Sequence, residues 1–461
     1  MKPALGLILV LALTAVGGAI AYQTAAREQQ YRVLLSRGDL ALRDGQNFGA
    51  IEAFSGAIAL RPQSMLAHLR RGETYRQRGD LDAAARDFRK AAALDPSATR
   101  PLDALGDVLY RRLRFKSAAD VYQSRLNLDD RSEQAAYRLA LAHYRDGDLD
   151  AALAALAHTL RLSDRLPDAY YLLGLCLRDK RRLPEAVRAF ETAVALSSAM
   201  IPAREELAEI YRSLGRVPDE LEQLQYVALL DRVNAERQVA VGLAQARAGH
   251  RELAVLTLGN ALEKTPNQPP IYAALGQVWL EMAHSRTDAL SRALESLERV
   301  ASTAAGTSDV MTLYGRALLK ADQPEAAERV LQQATDRYPV DPEAFLAYAQ
   351  AAEGQDHLAA ARTALIAYGA LMGIDETFIT RATKIGELSL RLDEPATATV
   401  WFQRALDGAP ADLRLLASLV DAQIKAGDTE SALAMIARGL DKDPDNPQLI
   451  AFSRRLRPSR N

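Results

Sequence analysis

A single cysteine, Cys176, leaves the 461-residue chain without an internal disulfide and says little about its redox compartment. It falls in the apolar stretch Tyr170–Leu177, where a packed thiol is the expected role. Neither sign of charge is in real excess: 57 Lys and Arg against 59 Asp and Glu give a net −2. That balance argues against a general nucleic-acid-binding surface. Catalytic signatures are missing too. None of the six histidines (His68, His143, His158, His250, His284, His357) pairs at i, i+4 around a glutamate, so a zinc-hydrolase helix is not supported. No G-x-S-x-G elbow, P-loop or G-x-G-x-x-G follows a strand, and no convincing strand is present. Asp146-Gly147-Asp148-Leu149-Asp150 opens like a calcium loop, but Ala151 and Ala157 replace its glycine and its bidentate glutamate. Helix capping explains those aspartates better. The pairs Glu205/Glu206 and Asp129/Asp130 read as solvated carboxylates. No enzyme activity, cofactor or metal is expected.

What the chain has in abundance is a 34-residue period. Gly72, Tyr75, Gly79, Ala84, Phe88, Ala91 and Pro96 recur 34 residues earlier as Gly38, Ala41, Gly45, Ala50, Phe54, Ala57 and Pro62. Forward, they become Gly106, Leu109, Leu113, Ala118, Tyr122, Arg125 and Asp130, and the register runs on to about residue 268. Such a period marks stacked repeats, not a compact enzyme core. Each unit reads as helix, tight turn, helix, stop. Gly45, Gly79, Gly147, Gly215, Gly249 and Gly427 occupy the turn, where a left-handed residue closes a helix. Asn47, Asp80, Asp148 and Asp428 follow as expected caps of the second helix. Pro62, Pro96, Pro266, Pro339, Pro410 and Pro444 stop it. Glycines in the first helix (Gly38, Gly72, Gly106, Gly174, Gly242, Gly276, Gly315, Gly386) face alanines in the second (such as Ala50, Ala84, Ala118, Ala186, Ala327). Phe54, Phe88, Phe190 and Phe402 fill the space beside them.

Tyr272-x2-Leu275-Gly276-x2-Trp279 and Ala84-x3-Phe88…Pro96, with weaker copies at Leu102–Gly106 and Tyr170–Gly174, resemble the tetratricopeptide repeat (TPR) signature. The resemblance implies an all-α, right-handed superhelical solenoid of about twelve helix-turn-helix repeats. They start near residues 31, 65, 99, 133, 167, 201, 235, 269, 308, 342, 379 and 413. The register slips twice. Gly276 to Gly315 is 39 residues and Ala349 to Gly386 is 37, placing extra residues around Ala283–Ala289 and Met372–Glu376. Each slip reads as a longer turn or as a change of pitch that separates N- and C-terminal binding segments. The expected organisation is 1–22 apolar leader, 23–30 linker, 31–268 repeats one to seven, 269–307 an irregular eighth, 308–446 repeats nine to twelve, and 447–461 a capping helix with a basic tail.

Ala4–Tyr22 is an uncharged apolar run preceded by Lys2. Three readings stay open: an uncleaved membrane anchor, a cleaved signal with Ala19-Ile20-Ala21 as its site, or a buried N-terminal helix. No cysteine in it permits lipoprotein attachment. Arg27, Arg32 and Arg37 nearly balance the positive-inside rule, and the signal-like end favours an exported body. Arg454, Arg455, Arg457 and Arg460 read as a solvated tail able to add weak attraction to an anionic membrane.

In the TPR family, positions 2, 5, 9, 12 and 13 of the first helix line a partner groove. The resemblance therefore implies a stripe of Tyr110, Tyr137, Tyr144 and Tyr171 with Arg76, Arg111, Arg145, Arg178 and Arg212. Tyrosine and arginine anchor interfaces well, and such arginines can hold carboxylates bidentately. The helix macrodipole also favours cations at these positions, and tyrosine also packs between units. A chaperone-tail carboxylate clamp needs asparagine at position 9. Here that position holds Asp39, Glu73, Asp107, Leu141, Leu175 and Glu209, so that partner class is not expected. The mixed charge suits an extended segment carrying both signs, or a folded protein. The leading expectation is a membrane-anchored or exported scaffold that gathers protein partners in the cell envelope. Alternatives are a component of polysaccharide or polymer export, and a cytosolic TPR regulator.

Overall fold

The computed structural model describes the backbone of residues 2–232 and 234–456, and the side chains of residues 16–232 and 234–456. Among these residues there are twenty-five α-helices and no strand, the all-α architecture that the period implies. They form two compact units, Met1–Gly215 and Arg216–Asn461. The first holds α1 (Lys2–Arg43), α2 (Asn47–Leu60), α3 (Met65–Arg78), α4 (Leu81–Leu94), α5 (Thr99–Arg111), α6 (Phe115–Leu128), α7 (Glu133–Asp146), α8 (Leu149–Leu162), α9 (Pro167–Asp179), α10 (Leu183–Leu196) and α11 (Ile201–Ser213). The second holds α12 (Val217–Leu230), α13 (Ala235–Arg247), α14 (Arg251–Lys264), α15 (Pro269–Met282), α16 (Ala289–Ala301), α17 (Ser308–Lys320), α18 (Pro324–Thr335), α19 (Pro342–Gly354), α20 (Leu358–Met372), α21 (Phe378–Arg391), α22 (Pro395–Gly408), α23 (Leu413–Lys425), α24 (Thr429–Lys442) and α25 (Pro447–Leu456).

The turn chemistry explains the hairpins. Gly79 ends α3 at φ +87°, and the carboxylate of Asp80 accepts the Ala83 N–H at 3.1 Å to start α4. Asp148 and Asp428 cap α8 and α24 in the same way. Asn47 does not: a three-residue turn puts it inside the first turn of α2, and its buried Oδ1 has no partner. Where glycine is missing, the left-handed turn persists. Leu113, Arg181, Asp322, Asp356 and Asp393 adopt φ of 56–60°, so the hairpin packing imposes it. Within each pair the helices cross closely: a Cβ on Gly72 would lie 2.7 Å from the Phe88 ring. Ala84, Phe88 and Ala91 are fully buried there.

The division between units falls at Gly215, not at either register slip. It lies inside the repeat that starts at residue 201. There both small-residue positions depart from the pattern, with Ala208 for glycine and Glu220 for alanine. Glu220 is 2% exposed, and one of its oxygens lies 2.5 Å from Arg247 while the other has no partner. The slips themselves are local. Residues 283–288 separate α15 from α16, and 373–377 separate α20 from α21, leaving Leu371, Met372 and Ile374 exposed. At the C-terminus α25 buries Leu449 completely. Arg454 and Arg455 are exposed on it, whereas Arg457 and Arg460 lie outside the described residues.

α1 is continuous from Lys2 to Arg43, so the segment 23–30, read as a linker, is helical. Val16, Ile20 and Tyr22 are exposed along it. The side chains of residues 4–15, most of the apolar run, lie outside the described ones. Among the described residues no helix is long and apolar enough to cross a membrane.

Candidate partner-binding groove

The tyrosine and arginine stripe lies on successive first helices of the first unit, α3, α5, α7, α9 and α11. Tyr110, Tyr137 and Tyr144, with Leu141, pack half-buried on one core cluster, and Tyr171 and Leu175 pack on it or the next. Tyr110 meets Phe115 edge-on at 5.2 Å, and Tyr171 meets Phe190 at 5.8 Å. Each ring is thus held from below, with an edge left to solvent. Burial first, then the charge of Asp168 and the hydroxyls of Tyr110 and Tyr171, push the Tyr137 phenol up to about 12. These three tyrosines therefore share one neighbourhood. Burial, then Asp179, raises Tyr144; burial, then Glu206, raises Tyr171.

The arginines are not equivalent. Arg145 donates from Nε to the Tyr110 hydroxyl at 3.3 Å. Arg178 grips Asp179 through Nε and Nη2 at 3.0 and 2.8 Å and reaches Glu206 at 2.5 Å. Burial opposes its charge, but these carboxylates outweigh that and raise its pKa. Its fork is therefore already filled. Arg212 pairs with Glu209 on its own helix. Arg76 and Arg111 make no ion pair, side-chain hydrogen bond or ring contact with any described residue; Arg76 is half-buried and Arg111 exposed.

Position 9 supplies the acidic half of the mixed groove charge. The acids there are paired with arginines of the next first helix or of their own. Asp39 pairs with Arg70 at 3.4 Å, and Glu73 with Arg70 at 3.0 Å and Arg100 at 2.7 Å. Asp107 pairs with Arg138 at 2.9 Å and accepts from the Tyr122 hydroxyl at 2.7 Å. Burial, then that hydrogen bond, raises the Tyr122 pKa. The arginines that close these pairs are groove-lining residues the sequence reading missed.

A second groove was also missed. In the second unit Val239, Leu243, Ala273, Gln277 and Leu313, on α13, α15 and α17, line a cavity of 450 Å³. Val239 and Leu243 are positions 5 and 9 of α13 and Ala273 is position 5 of α15, but position 9 holds Gln277 in α15 and Arg316 in α17, so the position map extended past residue 235 recovers this groove only in part. His143 and His158 border a separate 420 Å³ cleft between α6, α7 and α8, where His158 bonds the Asp130 carbonyl at 2.9 Å. Among the described residues no group of three His, Cys, Asp or Glu side chains could hold a metal ion. Cys176 is fully buried, and burial pushes its thiol up to about 12. It is a packing residue.

Helix hairpins joined by short left-handed turns, packed through a glycine–aromatic crossing that recurs at 34 residues, define a helical-repeat protein. One tetratricopeptide repeat profile matches residues 35–99, 104–165, 137–201 and 171–235, and another matches 288–351 and 390–456. The chain belongs to the tetratricopeptide repeat family. Repeats of this family generally mediate protein–protein interaction, and the family is generally non-enzymatic. No curated relative matches the sequence. Similar solved structures include a tetratricopeptide repeat protein from Parabacteroides merdae, at 17% identity over 54% of this chain and 99% of that one, with a TM-score of 0.40. Pseudomonas aeruginosa pilF is similar at 17% identity over 46% and 97%, with a TM-score of 0.37. MamA from Desulfovibrio magneticus is similar at 19% identity over 37% and 97%, with a TM-score of 0.35.

Proposed function

We propose that this protein is a non-enzymatic scaffold of the cell envelope that holds a partner protein along the first helices of its first unit. The observation that carries the binding surface is the shared, half-buried neighbourhood of Tyr110, Tyr137 and Tyr171, with Tyr144 on the same row of helices. Anchored aromatic edges of this kind supply contact area at little entropic cost. The envelope placement rests on the apolar run Ala4–Tyr22 alone. Replacing Tyr137, Tyr144 and Tyr171 with alanine should abolish in-cell cross-linking to the partner while leaving a folded chain. Equal loss of cross-linking and of melting temperature makes the tyrosines core residues only. Carbonate washing of membranes tests the placement: release of the intact chain removes the anchor from the proposal.

A further inference from the structure

A recurring slot joins consecutive first helices. At three steps the twelfth residue of one helix meets the thirteenth of the next. In the first unit the slot holds Tyr110 with Arg145 at 3.3 Å, then Tyr144 with Asp179 at 3.2 Å. In the second unit it holds Glu353 with Arg391 at 2.9 Å, after the three-residue slip. Each of these is a complementary donor–acceptor pair. One step before Tyr110 and Arg145, the same register places Arg76 opposite Arg111.

Two guanidinium groups in that slot repel each other, and neither has a partner among the described residues. The acids at position 9 of their own helices, and those that open the following second helix, are already paired. Glu73 and Asp107 are taken by Arg100 and Arg138, and Asp80 and Asp82 by Arg78 and Arg112. We infer that Arg76 and Arg111 form an anion-binding pair that takes a carboxylate from an acidic, extended segment of the partner protein. A carboxylate offers two oxygens to two planar forks, a match that ammonium groups do not reproduce. Because the groove acids are internally paired, the unbalanced charge of this stretch is positive. The segment that fits is therefore acidic, not mixed in sign. This rests on the groove reading above and adds the chemistry of what lies in it.

The test uses the full chain and a fluorescein-labelled hexaglutamate peptide, followed by fluorescence anisotropy at low salt. Hexaglutamine serves as the uncharged comparison. Hexaglutamate should bind at least tenfold more tightly than hexaglutamine. Arg111→Glu should weaken it at least tenfold without lowering the melting temperature, since opposite charges then share the slot as in Glu353 and Arg391. Arg454→Glu makes the same charge change on α25 and should leave binding as it was. Equal weakening by Arg454→Glu and Arg111→Glu overturns the pair, as does hexaglutamate binding unaffected by Arg111→Glu. Displacement of the peptide by inorganic phosphate at concentrations near the peptide's own Kd overturns the peptide assignment in favour of a free anion. If Arg111→Glu is silent but the tyrosine variants lose their partner, the groove stands and the anion pair falls. If the tyrosine variants keep their partner but Arg111→Glu loses hexaglutamate, the pair stands and the groove falls.

Discussion

Tyr144 of α7 donates its phenolic hydrogen to Asp179 of α9, with 3.2 Å between the oxygens. The two residues are one repeat and one residue apart, so a side chain at the end of one first helix is tied to the end of the next. Arg145 and Tyr110 make the equivalent tie one step earlier with the roles of the side chains exchanged. The tyrosine row is therefore part of what joins successive hairpins in the first unit, as well as the surface they present.

That coupling gives the tyrosines an alkaline signature. Tyr137 is held up to about 12, by burial first, and Tyr144 and Tyr171 are raised in the same direction. An unfolded tyrosine ionises near pH 10. A raised folded pKa means that the folded chain prefers the neutral phenol, so its contribution is complete below about pH 10 and is lost as pH rises towards 12. Urea midpoints should accordingly fall between pH 10 and 12, and Tyr137→Phe should flatten that fall. Absorbance titration should show phenols ionising later than free tyrosine. A variant with the same alkaline slope as the parent would show that Tyr137 is not held in its neutral form.

A buried ion pair offers a sharper stability test. Asp87 on α4 accepts two hydrogen bonds from Arg71 on α3, at 2.7 and 2.8 Å, and lies 3.1 Å from His68 Nδ1. The hydrogen bond that Arg71 donates to Asp87 raises the Arg71 pKa against the opposing effect of burial. Asp87 is 5% exposed. Removing one partner of such a pair strands the other and costs about 3–5 kcal/mol. Asp87→Ala should fall near the low end of that range, because the Arg71 side chain keeps 21% exposure. In a repeat stack the loss should be confined to α3, α4 and their neighbours. Hydrogen exchange checks this. Uniform acceleration along the whole chain would contradict additive repeats, and no acceleration in α3 and α4 would make the pair dispensable.

The sequence revealed the hairpins and not the electrostatics, for a physical reason. Gly72, Phe88 and Ala84 recur because a close helix crossing tolerates few side chains, so their spacing is visible as a period. Glu220 was visible as well, as a carboxylate at a buried alanine position, and it lies in the repeat where the two units divide. Pairings such as Glu73 with Arg100, or Arg178 with Glu206, have no fixed spacing of their own. They depend on which rotamer reaches across to the next helix. The sequence therefore displays the acids at position 9 without displaying that their charge is already spent. The difference between Arg178 and Arg76, both twelfth in their first helices, lies in neighbours that the period does not specify.

The same logic predicts a gain in stability at the turns. Leu113 sits between α5 and α6 at φ 57°, where Gly79 and Gly147 occupy the corresponding place. Its side chain is 74% exposed, so little burial is lost on removing it. A left-handed conformation costs an L-residue about 1–2 kcal/mol, and the extra freedom of glycine in the unfolded chain takes back about 0.5–1 kcal/mol. Leu113→Gly should therefore stabilise the first unit by about 0.5 kcal/mol. Arg181→Gly, at φ 60°, should do the same. Asp322→Gly should gain less, because aspartate already tolerates this conformation. Urea denaturation of the three variants gives the order directly. Lower stability for both Leu113→Gly and Arg181→Gly would mean that their side chains, not their backbone angles, govern these turns.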